Sequence, residues 1–256
     1  MIHMIRTRGP KTLRRPVSLF TVGDESQVRP RPGWLAGSMA DERDPELPGL
    51  LLRTERDGLL PLLRSAADGD FELRTACPGW TVRDVIAHCG SVLSRVVESR
   101  FGPDVFSPEC NDRDIAERAD WTHPQVVEEL ERGMTDAGPV IAAAGGILDA
   151  VALGEWVHAG DVREAWGLPG AYGGPGFPHA LDLLVPRALR RKVPLFVAEL
   201  TDSGRKVAIG VEQEGRAPGR YRGDGATLIR LCADRPLTGT RYELEGVRER
   251  ELGLFD

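Results

Sequence analysis

Apolar residues recur at helical spacing in the first part of the chain. The segment PELPGLLLRTERDGLLPLLRSAA, residues 45–67, carries leucines three and four positions apart, which predicts an amphipathic helix that Pro61 kinks or divides. The segment TVRDVIAHCGSVLSRVVESRFG predicts a second helix. Thr81 and Asp84 resemble a capping box at its start, and Gly102-Pro103 marks its end.

Two further helices are predicted before residue 170. WTHPQVVEELERGM follows a Thr-His-Pro start signal and has an apolar side opposite an acidic one. Gly138-Pro139 interrupts this pattern. An Ala/Leu/Val-rich run from Pro139 to Trp166, with Gly145-Gly146 as a weak point, then predicts the fourth helix. Four helices with short to moderate connections favour a four-helix bundle.

The pattern changes after the Gly/Pro-rich stretch AYGGPGFP, which is typical of a linker. Residues 178–192 predict a helix, PLFVAEL and KVAIGVEQE predict a hairpin, and DGATLIRLCADRP predicts a short capped helix. The predicted fold is therefore α followed by α+β, with a helical bundle at 39–172 and a small α+β domain at 176–256. Residues 1–38 carry seven Lys or Arg against two Asp or Glu, which predicts a disordered basic tail.

Composition and charge narrow the classes of function. The 256 residues are 41% apolar and 28% charged, as in ordinary globular proteins, and the net charge of −6 offers no broad basic field for nucleic acid. No run approaches the roughly 20 apolar residues that span a bilayer. The four cysteines lack both a CxxC pair and the spacing of a disulfide framework, which indicates a reducing cytoplasm and cysteines that only pack. We therefore expect no nucleic-acid or membrane partner.

A histidine stands on the apolar side of the second predicted helix. Val85, His88, Val92 and Val96 fall at i, i+3, i+7 and i+11, so His88 should face the interior of the bundle. A single histidine on such a face is more often a hydrogen-bonded core residue than a metal ligand. The metal hypothesis for His88 therefore depends on partners from another helix.

Those partners stand on the fourth predicted helix. Val151, Glu155, His158 and Val162 share one helical face, and a buried carboxylate is costly unless it is paired or bound to a cation. Two imidazoles and a carboxylate suit a zinc-type site with an open position. A buried Glu-His hydrogen bond, or a different phase of the apolar stripe, is the alternative. Asp161 either accepts a hydrogen bond that orients His158 or is solvated.

Several motifs together resemble a known family. TACPGWTVRDVIAHCG and LGEWVHAGDVREAWGLPG resemble the mycothiol-dependent maleylpyruvate isomerases, which belong to the DinB-like metal-binding four-helix bundles. GDGATLIRLCADRP and the terminal strands resemble the C-terminal domain of that family, which is similar to sterol-carrier proteins. The likeness runs from Met39 to the C-terminus. It implies that His88 and His158 are metal ligands.

The third ligand departs from the family pattern. The family usually places a glutamate four residues before the second histidine, where this chain has Gly154. Glu155 stands three residues before His158 instead, and residues three or four apart share a helix face. The resemblance and the apolar stripe together make Glu155 the predicted third ligand.

The resemblance also implies a chemistry. A divalent metal, zinc by expectation, would bind the thiol of mycothiol and present it as a thiolate to a small electrophile, which is isomerised or keeps the thiol. Arg220 or Arg222 could hold substrate carboxylates by paired hydrogen bonds. The rival hypotheses are a metal- or ligand-binding bundle without turnover and a purely structural bundle. We expect a cytoplasmic monomer or homodimer.

Overall fold

The structure is a computed structural model that describes residues 43–102 and 104–255. The predicted tail at 1–38 lies outside these residues. From Arg43 onward the chain forms one compact unit. Within it the α-helices are α1 Leu47–Ser65, α2 Asp68–Phe71, α3 Val82–Val97, α4 Pro108–Ala116, α5 His123–Ala143, α6 Asp149–Ala165, α7 Phe177–Arg190 and α8 Gly225–Cys232. The strands are β1 Phe196–Leu200, β2 Lys206–Ile209, β3 Gly219–Gly223 and β4 Tyr242–Glu245.

The four long helices α1, α3, α5 and α6 pack against one another, and this confirms the predicted bundle. The helix start predicted at Thr81 is confirmed in detail. The amide of Asp84 donates to the Thr81 hydroxyl at 3.2 Å, and the amide of Thr81 donates to the Asp84 carboxylate at 2.9 Å. This reciprocal cap fixes the first turn of α3 and therefore the direction in which its side chains point.

Two predicted helix breaks are absent from the described residues. Helix α1 is not divided at Pro61, whose ring is exposed, so water can satisfy the carbonyl that proline leaves unpaired. Helix α5 continues through Gly138-Pro139 to Ala143. Gly138 is a packing residue, because a Cβ there would lie 3.0 Å from the Cα of Gly49 on α1.

The turn between α5 and α6 falls at the predicted weak point. Gly145 and Gly146 have φ of +63° and +97°, a conformation that glycine adopts without strain, and they reverse the chain. The fourth long helix therefore begins at Asp149 and not at Pro139. Arg43 secures this corner, since it donates to both carboxylate oxygens of Asp149 at 2.8 and 3.0 Å.

The C-terminal part contains a four-stranded sheet in the order β2-β1-β3-β4. Strands β1 and β2 form the predicted antiparallel hairpin, whereas β1 and β3 run parallel. Helix α7 packs on both α1 and α6, so this part lies directly against the bundle. The fold class, α followed by α+β, is confirmed, and the boundary near residues 172–176 stays a prediction. No helix in the described ranges is long and apolar enough to cross a membrane.

Candidate metal centre

Two histidines from different helices face each other inside the bundle. The ring centres of His88 on α3 and His158 on α6 lie 5.3 Å apart, in an edge-on arrangement. Two imidazoles bound to one tetrahedral ion at about 2.1 Å would have ring centres roughly 5 Å apart. Trp80 flanks both rings, with its centre 4.9 Å from His88 and 6.1 Å from His158. The sequence prediction that these histidines meet is therefore matched by the structure.

His88 is held as a neutral imidazole. Burial lowers its pKa to about 3, and the neighbouring His158 and Arg95 add to the effect. Its Nδ1 is buried and has no hydrogen-bond partner among the described residues. A neutral imidazole with an unpaired buried nitrogen is the form that a metal ion binds.

Glu155 is a buried carboxyl group without a cationic partner in the described part of the chain. It is only 3% exposed, and its Oε2 makes no hydrogen bond there. Burial raises its pKa to about 8, and the hydrogen bond from the Cys89 thiol offsets only part of that rise. Such a group is usually paired or bound to a metal. His88 Nδ1 and Glu155 Oε2 are thus both buried polar atoms without a hydrogen-bond partner among the described residues.

A second group of possible metal ligands surrounds Nδ1 of His158. Ligand atoms of Cys77, His158 and Asp161 all lie within 4.8 Å of one another, close enough to hold a metal ion. His158 Nδ1 is 3.1 Å from Asp161 Oδ2 and 3.5 Å from Cys77 Sγ, and the thiol donates to Asp161 at 3.1 Å. Glu155 and His88 do not belong to this group.

Both carboxylate oxygens of Asp161 accept hydrogen bonds from neighbouring side chains. Arg235 donates from Nε to Oδ1 and from Nη2 to Oδ2, each at 2.8 Å, and the Tyr172 hydroxyl lies 2.7 Å from Oδ1. Burial alone would raise the pKa of Asp161, but hydrogen bonds from His158 and Arg235 outweigh it and hold the pKa well below its usual range. The carboxylate is therefore an anion with a full set of donors.

The ionised Asp161 fixes the proton of His158. A carboxylate only accepts hydrogen bonds, so Nδ1 of His158 must carry a proton, and in the neutral imidazole Nε2 is then the nitrogen with the lone pair. The prediction that Asp161 orients this imidazole agrees with the geometry, and the solvated alternative does not, because Asp161 is 0% exposed.

The CPGW turn brings two of these side chains into place. Gly79 has φ +85°, the Thr75 amide donates to the Trp80 carbonyl at 3.0 Å, and the Trp80 amide donates to the Cys77 carbonyl at 3.1 Å. This tight turn directs Cys77 towards Asp161 and Trp80 towards the histidines. Cys77 is therefore part of the site, although the sequence predicted a residue that only packs. Burial, and then the charge of Asp161, raise the pKa of its thiol to about 12, so it is a hydrogen-bond donor.

The predicted arginines lie elsewhere. Arg220 and Arg222 are half-exposed on β3, where they pair with Glu199 and Glu243 across the sheet. Sequence reasoning missed Arg235 and Tyr172, which contact Asp161 directly. No local signal marks Arg235, because it stands 74 positions from Asp161 and its motif CADRP predicts only the end of a helix.

A cavity of about 540 Å³ opens beside the site. Glu164, Tyr172 and Arg230 line it together with the start of α8, and neither histidine does. Arg230 pairs with Glu164 and lies over the Tyr172 ring at 5.4 Å from its centre. These contacts hold Tyr172, whose hydroxyl in turn contacts Asp161.

Comparison with known proteins finds a family model that matches part of the chain and a solved structure with a similar fold. Residues 52–168 match the sequence model of the mycothiol maleylpyruvate isomerase N-terminal domain. No curated protein matches the chain. A crystal structure of the mycothiol-dependent maleylpyruvate isomerase is similar at 16% identity with a TM-score of 0.53, over 81% of this chain and 96% of that one. A mutant of a mycothiol-dependent maleylpyruvate isomerase has the same identity and coverage and a TM-score of 0.49.

The segment that matches the family spans α3 and α6 and so includes both histidines and Glu155. The structural similarity extends over most of the chain and agrees with the fold that the motifs indicate. We conclude that residues 52–168 are similar to the mycothiol maleylpyruvate isomerase N-terminal domain and that the chain shares the fold of the solved mycothiol-dependent maleylpyruvate isomerase.

Proposed function

We propose that the protein is a metal- and mycothiol-dependent enzyme that isomerises a small electrophile or transfers the thiol to it. The observation that carries this proposal is the pair of facing histidines, together with a buried carboxyl group on the same helix as His158 whose Oε2 has no partner among the described residues. His88, His158 and Glu155 would hold the ion, with zinc as the expected metal. When bound, the metal would supply a thiolate at neutral pH by lowering the pKa of the cosubstrate thiol.

The protein's own side chains support this chemistry in different ways. His88 is neutral, and His158 keeps a free Nε2 because Asp161 binds its Nδ1. Trp80 covers both rings and keeps water from part of the site. No protein thiol is needed as the nucleophile, since burial holds the Cys77 thiol in its protonated form.

Cys77, His158 and Asp161 form a second candidate group for the metal, and Arg235 argues against it. An ion between them would lie close to a guanidinium that already contacts both Asp161 and Cys77, at 2.8 and 3.3 Å. Two cations at such a distance repel each other strongly in a buried site. Arg95 lies near His88, but it pairs with Asp114, and no arginine of the described residues donates to His88, His158 or Glu155. The histidine pair with Glu155 is therefore the better site.

The proposal extends to the substrate, the arginines that would contact it and the oligomeric state. Arg220 and Arg222 could contact substrate carboxylates only by leaving Glu199 and Glu243, and both side chains are exposed enough to move. The substrate is a small electrophile with a conjugated double bond, by analogy with the family name. A cytoplasmic monomer or homodimer is still the expected state.

Metal analysis of variants tests the proposal. Purified protein should contain about one zinc per chain, and His88→Ala and Glu155→Ala should lose most of it. His123→Ala is the matched control, because His123 binds Asp68 and stacks on Phe71 and should leave the metal content unchanged. Cys77→Ala should also keep the metal. Loss in Cys77→Ala with retention in His88→Ala would assign the metal to the second group.

An activity assay distinguishes an enzyme from a metal- or ligand-binding bundle without turnover. Metal-loaded protein mixed with mycothiol and maleylpyruvate, or with another conjugated electrophile, should consume the electrophile only when the thiol is present. Metal binding without thiol-dependent consumption across such a panel would favour a binding protein. Protein without metal under all conditions would favour a structural bundle.

A further inference from the structure

Arg235 links the C-terminal part of the chain to the metal centre in the bundle. It stands three residues beyond the end of α8, and its guanidinium reaches Asp161 on α6. We propose that Arg235 is a positioning residue for the metal centre: it fixes Asp161, and Asp161 fixes the proton and the orientation of His158. This inference rests on the metal site of the proposed function. It assigns part of that site to the C-terminal part of the chain.

The hydrogen bonds of Arg235 show why it positions and does not bind substrate. Its Nε and Nη2 both donate to Asp161, Nη2 also contacts Cys77 at 3.3 Å, and Nη1 donates to the Ala233 carbonyl at 3.0 Å. A guanidinium has five N–H donors, so four of them are in use. The fork that would grip a substrate carboxylate is occupied, and the side chain is only 14% exposed.

Asp161 needs this partner. An ionised carboxylate at 0% exposure requires a counter-charge, and a planar two-point contact satisfies both of its oxygens at once. Tyr172 adds one hydrogen bond to Oδ1 but carries no charge, because burial raises the pKa of its hydroxyl well above the usual range. Lysine in place of Arg235 would supply the charge without the second contact.

The backbone holds Arg235 in this place. The Arg235 amide donates to the Arg230 carbonyl at 2.8 Å, and Asp234 adopts a left-handed conformation with φ +52°. Such a residue ends a helix and turns the chain back across it. The end of α8 therefore directs the Arg235 side chain towards α6.

A double-mutant cycle between Arg235 and Asp161 tests the inference. Zinc affinity would be measured by competition with a chelator for wild type, Arg235→Gln, Asp161→Asn and the double variant. We expect each single change to weaken zinc binding by about 10- to 100-fold. If Arg235 acts through Asp161, the double variant should be no weaker than Asp161→Asn alone. Arg235→Lys should restore part of the loss.

The proton position gives a second readout that needs no metal. In the metal-free wild type, ¹⁵N NMR of His158 should show the proton on Nδ1. Arg235→Gln should show a mixture of both tautomers. Arg216→Gln is the matched control, because Arg216 makes a similar two-point contact with Glu251, at 2.9 and 3.0 Å, on the sheet side. It should change neither zinc affinity nor the tautomer.

Several results would overturn the inference. One is unchanged zinc affinity in Arg235→Gln together with a raised KM, which would make Arg235 a substrate contact. Another is additive losses in the double variant. If Arg235→Gln does not fold, Arg235→Lys and Tyr172→Phe must give smaller losses in the same direction, and wild-type values in both would refute the role. A wild type that binds no zinc refutes the proposed function, and the tautomer measurement then decides on Arg235 by itself.

Discussion

Gly154 and Glu155 show how one step along a helix changes what a side chain meets. A Cβ at Gly154 would lie 3.8 Å from the Phe255 ring, so a side chain there would point towards the C-terminal segment. Glu155 instead lies beside Cys89 of α3, the residue next to His88. In this chain the position three residues before His158 is therefore the one whose side chain contacts α3.

Glu155 gives a prediction on pH and stability. Because burial raises its pKa from 4.5 to about 8, the folded metal-free protein holds this proton more tightly than the unfolded chain does. The free energy of unfolding should therefore fall as the pH rises from about 4.5 to about 8. Glu155→Gln, which has no such proton, should remove a decrease on the order of a few kcal/mol.

Chemical denaturation of chelator-treated protein at several pH values measures this effect. Wild type should lose stability relative to Glu155→Gln towards pH 8. With saturating zinc the order should reverse, because only the carboxylate can bind the ion. Parallel pH curves for the two metal-free proteins would show that Glu155 has an ordinary pKa and already has a partner.

At the scale of elements, features that depend on neighbouring residues could be predicted from the sequence, whereas contacts between distant helices could not. Thr81 and Asp84 cap α3 as predicted, because a cap depends on residues three positions apart. Gly138 was predicted to stop a helix, but it permits contact with Gly49, which lies 89 positions earlier in the chain. In sequence, Gly138 resembles Gly145-Gly146, where the helix does end. Only the presence of a neighbouring helix distinguishes a glycine that ends a helix from one that allows two helices to pack closely.

Gly133 makes the contact between α3 and α5 testable. A Cβ there would lie 2.4 Å from the Cβ of Leu93, a separation that the two helices can relieve only by moving apart. Gly133→Ala should therefore destabilise the protein by about 1–3 kcal/mol despite the better helix propensity of alanine. Thermal or urea unfolding measures it.

Gly69→Ala is the control for this substitution. Gly69 is exposed in α2, and nothing lies within 4 Å of a Cβ there. The change should leave stability unchanged or raise it by up to about 1 kcal/mol. Equal effects of the two substitutions would show that α3 and α5 are not in tight contact at Gly133.

At the scale of the whole molecule, the sequence predicted both parts but not what joins them. The helical bundle and the C-terminal part each have their own hydrophobic pattern, so the elements of each could be predicted separately from the sequence. The contacts between α7 and the bundle, and between Arg235 and Asp161, join residues far apart in sequence and leave no periodic pattern. The two histidines and Asp161 could therefore be placed together from sequence, whereas Arg235 and Tyr172, which hold Asp161, could not.

Leu254 tests how strongly the chain is held together near its C-terminal end. Its side chain is 0% exposed, its amide donates to the Cys232 carbonyl at 3.0 Å, and its carbonyl accepts from Arg187 at 3.0 Å. Leu254→Ala should lower the free energy of unfolding by about 2–5 kcal/mol. The same substitution at Leu189, which is 38% exposed, should cost about 1 kcal/mol or less. Similar losses at both positions would mean that the terminal segment contributes little packing.

The pairing of Arg235 with Asp161 limits how this fold can be recombined. A chimera that joined the helical half to an unrelated C-terminal half would leave Asp161 as an uncompensated charge in the interior. Removing one partner of a buried pair typically costs about 3–5 kcal/mol, a large fraction of the stability of an ordinary domain. Exchange of halves is therefore restricted to donors that supply a guanidinium at the same place.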